Sequence, residues 1–188
     1  MASLWNVLFS WKVKPASREE MQKAACAIVT QSTGREKDLE TPGIGNFLLA
    51  EATHALWEQC GVPVLPQIEV ELAERMRRKE SFPSSFTPNQ TTDGRSTLSW
   101  NTRTVAQLQK EWLCKNGIPL RVVLVASPIH QGRSKWVYER LGFRVFIAEV
   151  SRGRYFDGKQ DQWWLRNVAG VYLYELCARI FFLAKGWI

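Results

Sequence analysis

Apolar residues Val122 to Ala126 run without interruption, stop at Ser127-Pro128, and give way to a segment that places Trp136, Val137 and Leu141 on one helical face. A short apolar run followed by a 3.6-residue period predicts a strand buried on both faces that feeds a helix. The same alternation recurs along the chain. Ser17-Arg-Glu-Glu20 has the form of a capped helix start with acids in its first turn, and it leads into a short strand over 25–30. Gln31-Ser-Thr-Gly34 is the polar exit from that strand, and the charged stretch 35–41 predicts a loop. Pro42-Gly43 opens a helix through Leu48, Leu49, Ala52, Ala55 and Leu56, with Gly61 as its stop.

The stretch 62–70 is rich in β-formers but carries Pro63 and Pro66, so its strand is expected to be short or to lie at an edge, with Glu69 at its end. A basic helical stretch over 71–79 follows. Residues 80–98 are rich in Ser, Thr, Pro, Asn and Gly and predict a long loop that could cover a site. From Ser99 the pattern is helical again, with Val105, Leu108, Trp112 and Leu113 on one face and Asn116-Gly117 as the stop. The strand and helix described first come next, then a fourth strand over 143–149, a loop over 151–161, and a C-terminal helical region over 162–188. Strands alternating with helices of about a dozen residues argue for βαβ units with right-handed crossovers. The expected class is α/β: a three-layer, Rossmann-like fold with a mainly parallel sheet flanked by helices.

Composition narrows this picture. A chain of 188 residues, 45% of them hydrophobic, fits a single domain over 1–188, with 1–23 as a flank that packs on it. That flank has an apolar run but neither the preceding positive region nor the following small-residue site of a signal peptide. The cysteines Cys26, Cys60, Cys114 and Cys177 form no Cys-x-x-Cys pair, and three lie in apolar stretches, so they read as buried reduced thiols in a cytoplasmic protein. With only His54 and His130, a histidine-rich metal site is excluded, and no metal site is expected.

The 25 Lys+Arg against 18 Asp+Glu give +7, which favours an anionic partner without naming it. The basic group Arg75, Arg77, Arg78 and Lys79 reads as a solvated helix face. No aromatic-interleaved RNA motif, zinc-finger spacing or basic heptad is present, so nucleic acid is an unlikely partner.

Candidate chemistry gathers where strands end. Open α/β sheets bind ligands outside the carboxyl ends of their strands. Ser127, His130 and Arg133 fall at such a joint, and the three-residue spacing puts the imidazole and the guanidinium on one side of a first helical turn. There His130 could serve as acid or base, the one candidate catalytic residue, while Arg133 holds an anionic group. Topology brings Gln31, Ser32, Thr33, Gly34, Glu69, Asn101 and Thr102 to the same edge as candidate ligand-binding residues. His54 sits mid-helix among apolar neighbours and reads as a packing or surface residue.

Gly43-Ile-Gly45 resembles the start of a dinucleotide fingerprint but lies a dozen residues past its strand with Leu48 in the sixth position, so it reads as a pair of helix-start glycines. The phosphate loop, the Gly-x-Ser-x-Gly elbow and the His-Glu-x-x-His helix are all missing from the sequence, which disfavours the common ATPases, hydrolases and zinc peptidases. In the last helix, Glu175 and Arg179 are spaced i,i+4 and count against a lipid-spanning segment; packing on the sheet is expected instead.

Val123-Leu-Val-Ala-Ser-Pro-Ile-His-Gln-Gly-Arg-Ser134 is similar to the strand and Thr/Ser-x-x-His-x-x-Arg turn of the bacterial SanA/YdcF/ElyC-like family, a Rossmann-like group. Asn101-Thr102 before Val105-Ala106 resembles the family's Asn-Thr-x-Glu-Asn-Ala segment, Ala27-Ile-Val-Thr30 its first strand, and the stretch from Ala178 to Gly186-Trp-Ile188 its closing helix. The chain departs from the family at Gln31-Ser-Thr-Gly34, where a glycine-rich exit is usual, and at Thr104-Val105, where a Glu-Asn pair is usual. The resemblance implies an α/β fold, a polar site formed by the first-strand loop with Asn101, Thr102, Ser127, His130 and Arg133, and a loose link to bacterial envelope metabolism. The expected ligand is an anionic, nucleotide-like or phosphorylated small molecule, with a nucleotide or an S-adenosylmethionine-like compound as cofactor candidates. The alternative is a non-catalytic interaction protein that docks on a partner, on a second copy of itself as a homodimer, or on an anionic membrane surface.

Overall fold

A computed structural model describes residues 8, 11, 13–82, 102–151 and 153–188. Helix α1 (Arg18–Ala24) starts as its sequence requires: Ser17 Oγ accepts from the Glu20 amide at 3.2 Å while Glu20 Oε2 accepts from the Ser17 amide at 2.8 Å. Strand β1 (Ala27–Thr30) follows, then α2 (Ile44–Cys60), β2 (Val64–Leu65), α3 (Ile68–Arg78), α4 (Thr102–Lys115), β3 (Arg121–Val125), α5 (Gln131–Arg140) and β4 (Arg144–Ile147). A 3₁₀ turn (Trp163–Arg166) and α6 (Val168–Ala184) close the chain.

The described strands form one sheet in the order β2-β1-β3-β4, with every pairing parallel and Val29 in register with Leu65 on one side and Leu124 on the other. Alternate strand residues face opposite layers. Ile28, Val64, Val123 and Phe146 pack with Met21, Leu49, Ala50, Val70 and Ala73, which belong to α1, α2 and α3. Ala27, Val29, Val122 and Leu124 pack with Ala106, Leu113, Val137 and Tyr138 of α4 and α5, and α6 joins that core through Phe182. This is the three-layer α/β arrangement expected from the alternation of strand and helix patterns.

The second strand is much shorter than the stretch 62–70. Pro66 brings no N–H to a ladder, and the next amide, Gln67, donates to Thr30 Oγ1 at 2.8 Å instead of extending the sheet. Residues Ile68, Glu69 and Val70 are therefore the first turn of α3, and Glu69 stands at a helix start rather than at a strand end. The C-terminal helical region is also interrupted. Asn167 adopts φ −153° and ψ 160° and its side chain accepts from the Gly170 amide at 2.7 Å, so it ends the 3₁₀ turn and caps α6. Gly170 belongs there because a Cβ would stand 2.9 Å from the Trp164 carbonyl.

The cysteines do not occupy the core. All four are free, with Cys114 and Cys177 exposed and Cys26 and Cys60 half-buried, because each takes the outward or terminal position of an otherwise apolar stretch. Among the described residues no helix is long and apolar enough to cross a membrane. Most of the flank 1–23 before residue 13, and most of the loop 80–98, lie outside the described residues.

Candidate functional site

At the carboxyl edge of the sheet, between the ends of β1 and β3, lies a cavity of about 380 Å³. The chain passes from β1 outward to β2, then crosses back to β3 on the other side of β1, so the cavity sits where the strand order reverses. Gln31, Ser32, Thr33 and Gly34 line it from the first loop; Ser127, His130 and Arg133 line it from the second; Glu69 and Thr102 line it from the starts of α3 and α4. The candidate residues thus meet at one place, apart from Asn101, which lies outside the described residues.

Backbone geometry fixes the first loop. The Ser32 amide donates to Gln67 Oε1 and the Thr33 amide to Asn46 Oδ1, both at 2.9 Å, while Asn46 Nδ2 donates to the Gly34 carbonyl at 2.6 Å. Gly34 needs to be glycine, since its φ is 84° and a Cβ would lie 3.0 Å from Leu165 Cδ1. Gly43 and Gly45 serve close packing: a Cβ at Gly43 would stand 2.3 Å from the Gln160 amide nitrogen, and one at Gly45 2.6 Å from Thr33 Oγ1. Gln31, 2% exposed, donates from Nε2 to the Tyr138 hydroxyl at 2.8 Å. That hydroxyl donates in turn to Gln109 Oε1, and Gln109 Nε2 donates to the Leu65 carbonyl at 2.7 Å. The relay ties β1, α5, α4 and β2 together, and burial, partly offset by the Gln31 bond, pushes the Tyr138 hydroxyl up from its ordinary pKa.

The second loop is organised around a carboxylate that sequence reasoning did not single out as a site residue. Glu175 of α6 is 2% exposed and accepts from Arg133 Nε at 3.1 Å on both oxygens, with Arg133 Nη2 at 3.0 Å from Oε2. Arg179, its i,i+4 partner, donates from Nε to Glu175 Oε1 at 3.2 Å. Burial alone would raise the Glu175 pKa, but the neighbouring Arg133 charge outweighs it and holds the carboxyl at about 2.

The remaining groups of Arg133 are also engaged, Nη1 donating to Thr102 Oγ1 at 3.0 Å and Nη2 lying 2.9 Å from His130 Nδ1. A guanidinium only donates, so His130 Nδ1 accepts and the ring proton sits on Nε2, which faces Thr102 Oγ1 at 3.3 Å. Burial and the neighbouring Arg133 push the His130 pKa down, so the half-buried imidazole is a neutral donor through Nε2 at neutral pH.

The expected spacing of His130 and Arg133 on one first turn is realised, but Arg133 is spent on Glu175, His130 and Thr102. The only visible signal for Glu175 was its being the single acid of a strongly apolar helix. Other wall residues were equally hidden: Arg35 and Asp161 from loops, and an aromatic group of Phe156, Trp164, Tyr174 and Phe182. Trp164 stacks on Tyr174 with ring centroids 4.7 Å apart and planes 9° from parallel.

His54 lies away from this cavity, with Nδ1 2.7 Å from Glu74 and Nε2 3.4 Å from Glu58. Among the described residues no three His, Cys, Asp or Glu side chains come together as a metal would need. Neither a family model nor a curated protein nor a solved structure matches the chain.

Proposed function

We propose that this protein binds a nucleotide-like or phosphorylated small molecule in the cavity at the carboxyl edge of its sheet, as a bacterial cytoplasmic protein of SanA/YdcF/ElyC-like type. The observation that carries the reading is the convergence of both strand-exit loops and the starts of α3 and α4 on one cavity at the point of strand-order reversal. Its chemistry suits such a ligand. Phe156, Trp164, Tyr174 and Phe182 bring aromatic rings to the lining, and Ser32, Ser127, Thr102, Gln31 and Glu69 bring polar groups to it. The helix starts add partial positive charge at that edge. Binding is better supported than acid–base turnover, because both ring nitrogens of His130 are already engaged, Nδ1 with Arg133 and Nε2 with Thr102.

A thermal-shift screen of nucleotides, S-adenosylmethionine and sugar phosphates tests this, since a ligand at a hundred times its Kd stabilises by about 2.7 kcal/mol. Trp164→Ala combined with Ser127→Ala is expected to abolish the shift. A screen without any hit, or a hit that survives the double variant undiminished, sinks the reading.

A second reading, docking on an anionic membrane surface, rests on α6. Its two charges, Glu175 and Arg179, point inward, while Leu173, Ile180 and Phe181 are exposed. Salt-sensitive co-sedimentation with anionic vesicles, lost in Phe181→Glu, would favour it.

A further inference from the structure

The proposed ligand carries an anion, and Arg133 is not free to receive it. Its Nε and Nη2 face Glu175, Nη2 also meets His130, and Nη1 bonds Thr102. Among the described residues the other guanidinium on the cavity wall is Arg35. The backbone there is clamped: residue 35 bridges to Pro42, its carbonyl accepts from the Asp161 amide at 2.9 Å, and Glu36 bridges to Gln160. Two bonds then fix the side chain, Nε donating to Glu69 Oε1 at 3.1 Å and Nη1 to the Leu39 carbonyl at 2.8 Å. Nη2, with two N–H groups, has no partner among the described residues. Glu69 mirrors this state, because its Oε1 serves Arg35 while its buried Oε2 has no donor there. A buried carboxylate oxygen without a donor is costly; Glu71 and Glu74 of the same helix also leave one, but of the three it is Glu69 that lines the cavity.

Resting on the binding reading above, we infer that Arg35 is the anion receptor of the cavity and that Glu69 takes a hydroxyl of the same ligand. The ligand class follows from the two open ends of one ion pair. Arg35 Nη2 can receive an oxyanion and Glu69 Oε2 a hydroxyl, and both residues line the one cavity. A phosphate ester carrying a hydroxyl a few bonds away meets both demands. The α3 N-terminus, which begins at Ile68 on the same wall, adds partial positive charge.

Calorimetric titration of AMP and adenosine separates this inference from the reading beneath it. The wild type is expected to bind AMP about 10- to 100-fold more tightly than adenosine, the size of one charge-assisted contact. Arg35→Gln should erase that gap while leaving adenosine affinity within about threefold, and Arg35→Lys, which keeps the charge, should restore part of it. If Arg35→Gln keeps the full preference for AMP, or if the wild type binds both compounds equally, Arg35 is not the receptor although the cavity still binds a nucleoside. If the wild type binds neither, the nucleotide-like reading fails and this inference fails with it.

Discussion

The cavity is walled by two arginine–glutamate pairs, and they are built to opposite ends. Arg133 and Glu175 are both almost fully buried, and every nitrogen of the guanidinium has an acceptor inside the protein. Arg35 and Glu69 meet through a single bond, and each keeps an unpartnered terminus among the described residues. A closed pair of this kind is structural, because its donors and acceptors are already spent on one another and on neighbouring side chains. An open pair keeps donor and acceptor capacity for a ligand. The more conspicuous arginine in the sequence, three residues from His130, is thus the less available one.

The largest expected effect tests the closed pair. Glu175→Ala leaves Arg133 and Arg179 as buried cations that have lost their shared anion, and removing one partner of a buried pair costs about 3–5 kcal/mol. Glu69→Ala, which strands only the half-buried Arg35, is expected to cost about 1–2 kcal/mol. Urea unfolding of both variants makes the comparison directly. If Glu69→Ala proves as costly as Glu175→Ala, the distinction between a closed and an open pair is wrong.

Acid should act on the closed pair in two stages. The His130 pKa is lowered from 6.5 by burial and by Arg133, so the unfolded chain takes up that proton more readily and stability declines as pH falls below about 6.5. Glu175, held at about 2 against an ordinary value of 4.5, contributes stability that is present above 4.5 and lost as pH falls towards 2. Melting temperature followed across this range is expected to fall in both windows, and in Glu175→Gln the lower decline should be reduced. An unchanged lower decline in that variant would place the acid sensitivity on other carboxylates.

Most of the edge was legible beforehand because parallel strands and their exits leave a local signature. Apolar 122–126 running into Ser127-Pro128, and Ala27–Thr30 running into Gln31-Ser-Thr-Gly34, each encode a buried strand with a polar exit. Topology alone then brings the exits together. The prolines at 63 and 66 point to the short edge strand that is found, Val64–Leu65, but Glu69 reaches the expected edge from the first turn of α3 and not from a strand end.

Glu175 was not legible as part of the site. Its contact with Arg133 spans 42 residues, and its i,i+4 spacing from Arg179 has the same form as an exposed surface pair. Nothing local distinguishes an ion pair turned inward from one turned outward. Arg35 was hidden for a related reason, since a charged loop betrays neither which guanidinium edge is bonded nor which is left over.

The smallest effect is also the one that could collapse the comparison. Arg35 retains 17% side-chain exposure against 4% for Arg133, so solvent screens its pair more strongly, and exposed pairs contribute about 0–1 kcal/mol. Arg35→Gln keeps an amide donor near the Leu39 carbonyl and is expected to lower stability in urea by no more than about 1 kcal/mol. Such a small cost, joined to a loss of anion preference, would mean that the pair is retained for what it binds. A cost of 3 kcal/mol or more, the size associated with breaking a buried pair, would put Arg35 in the same structural class as Arg133. The described residues would then give the cavity no guanidinium to spare, and the anion would have to rest on the backbone amides at the starts of α3, α4 and α5.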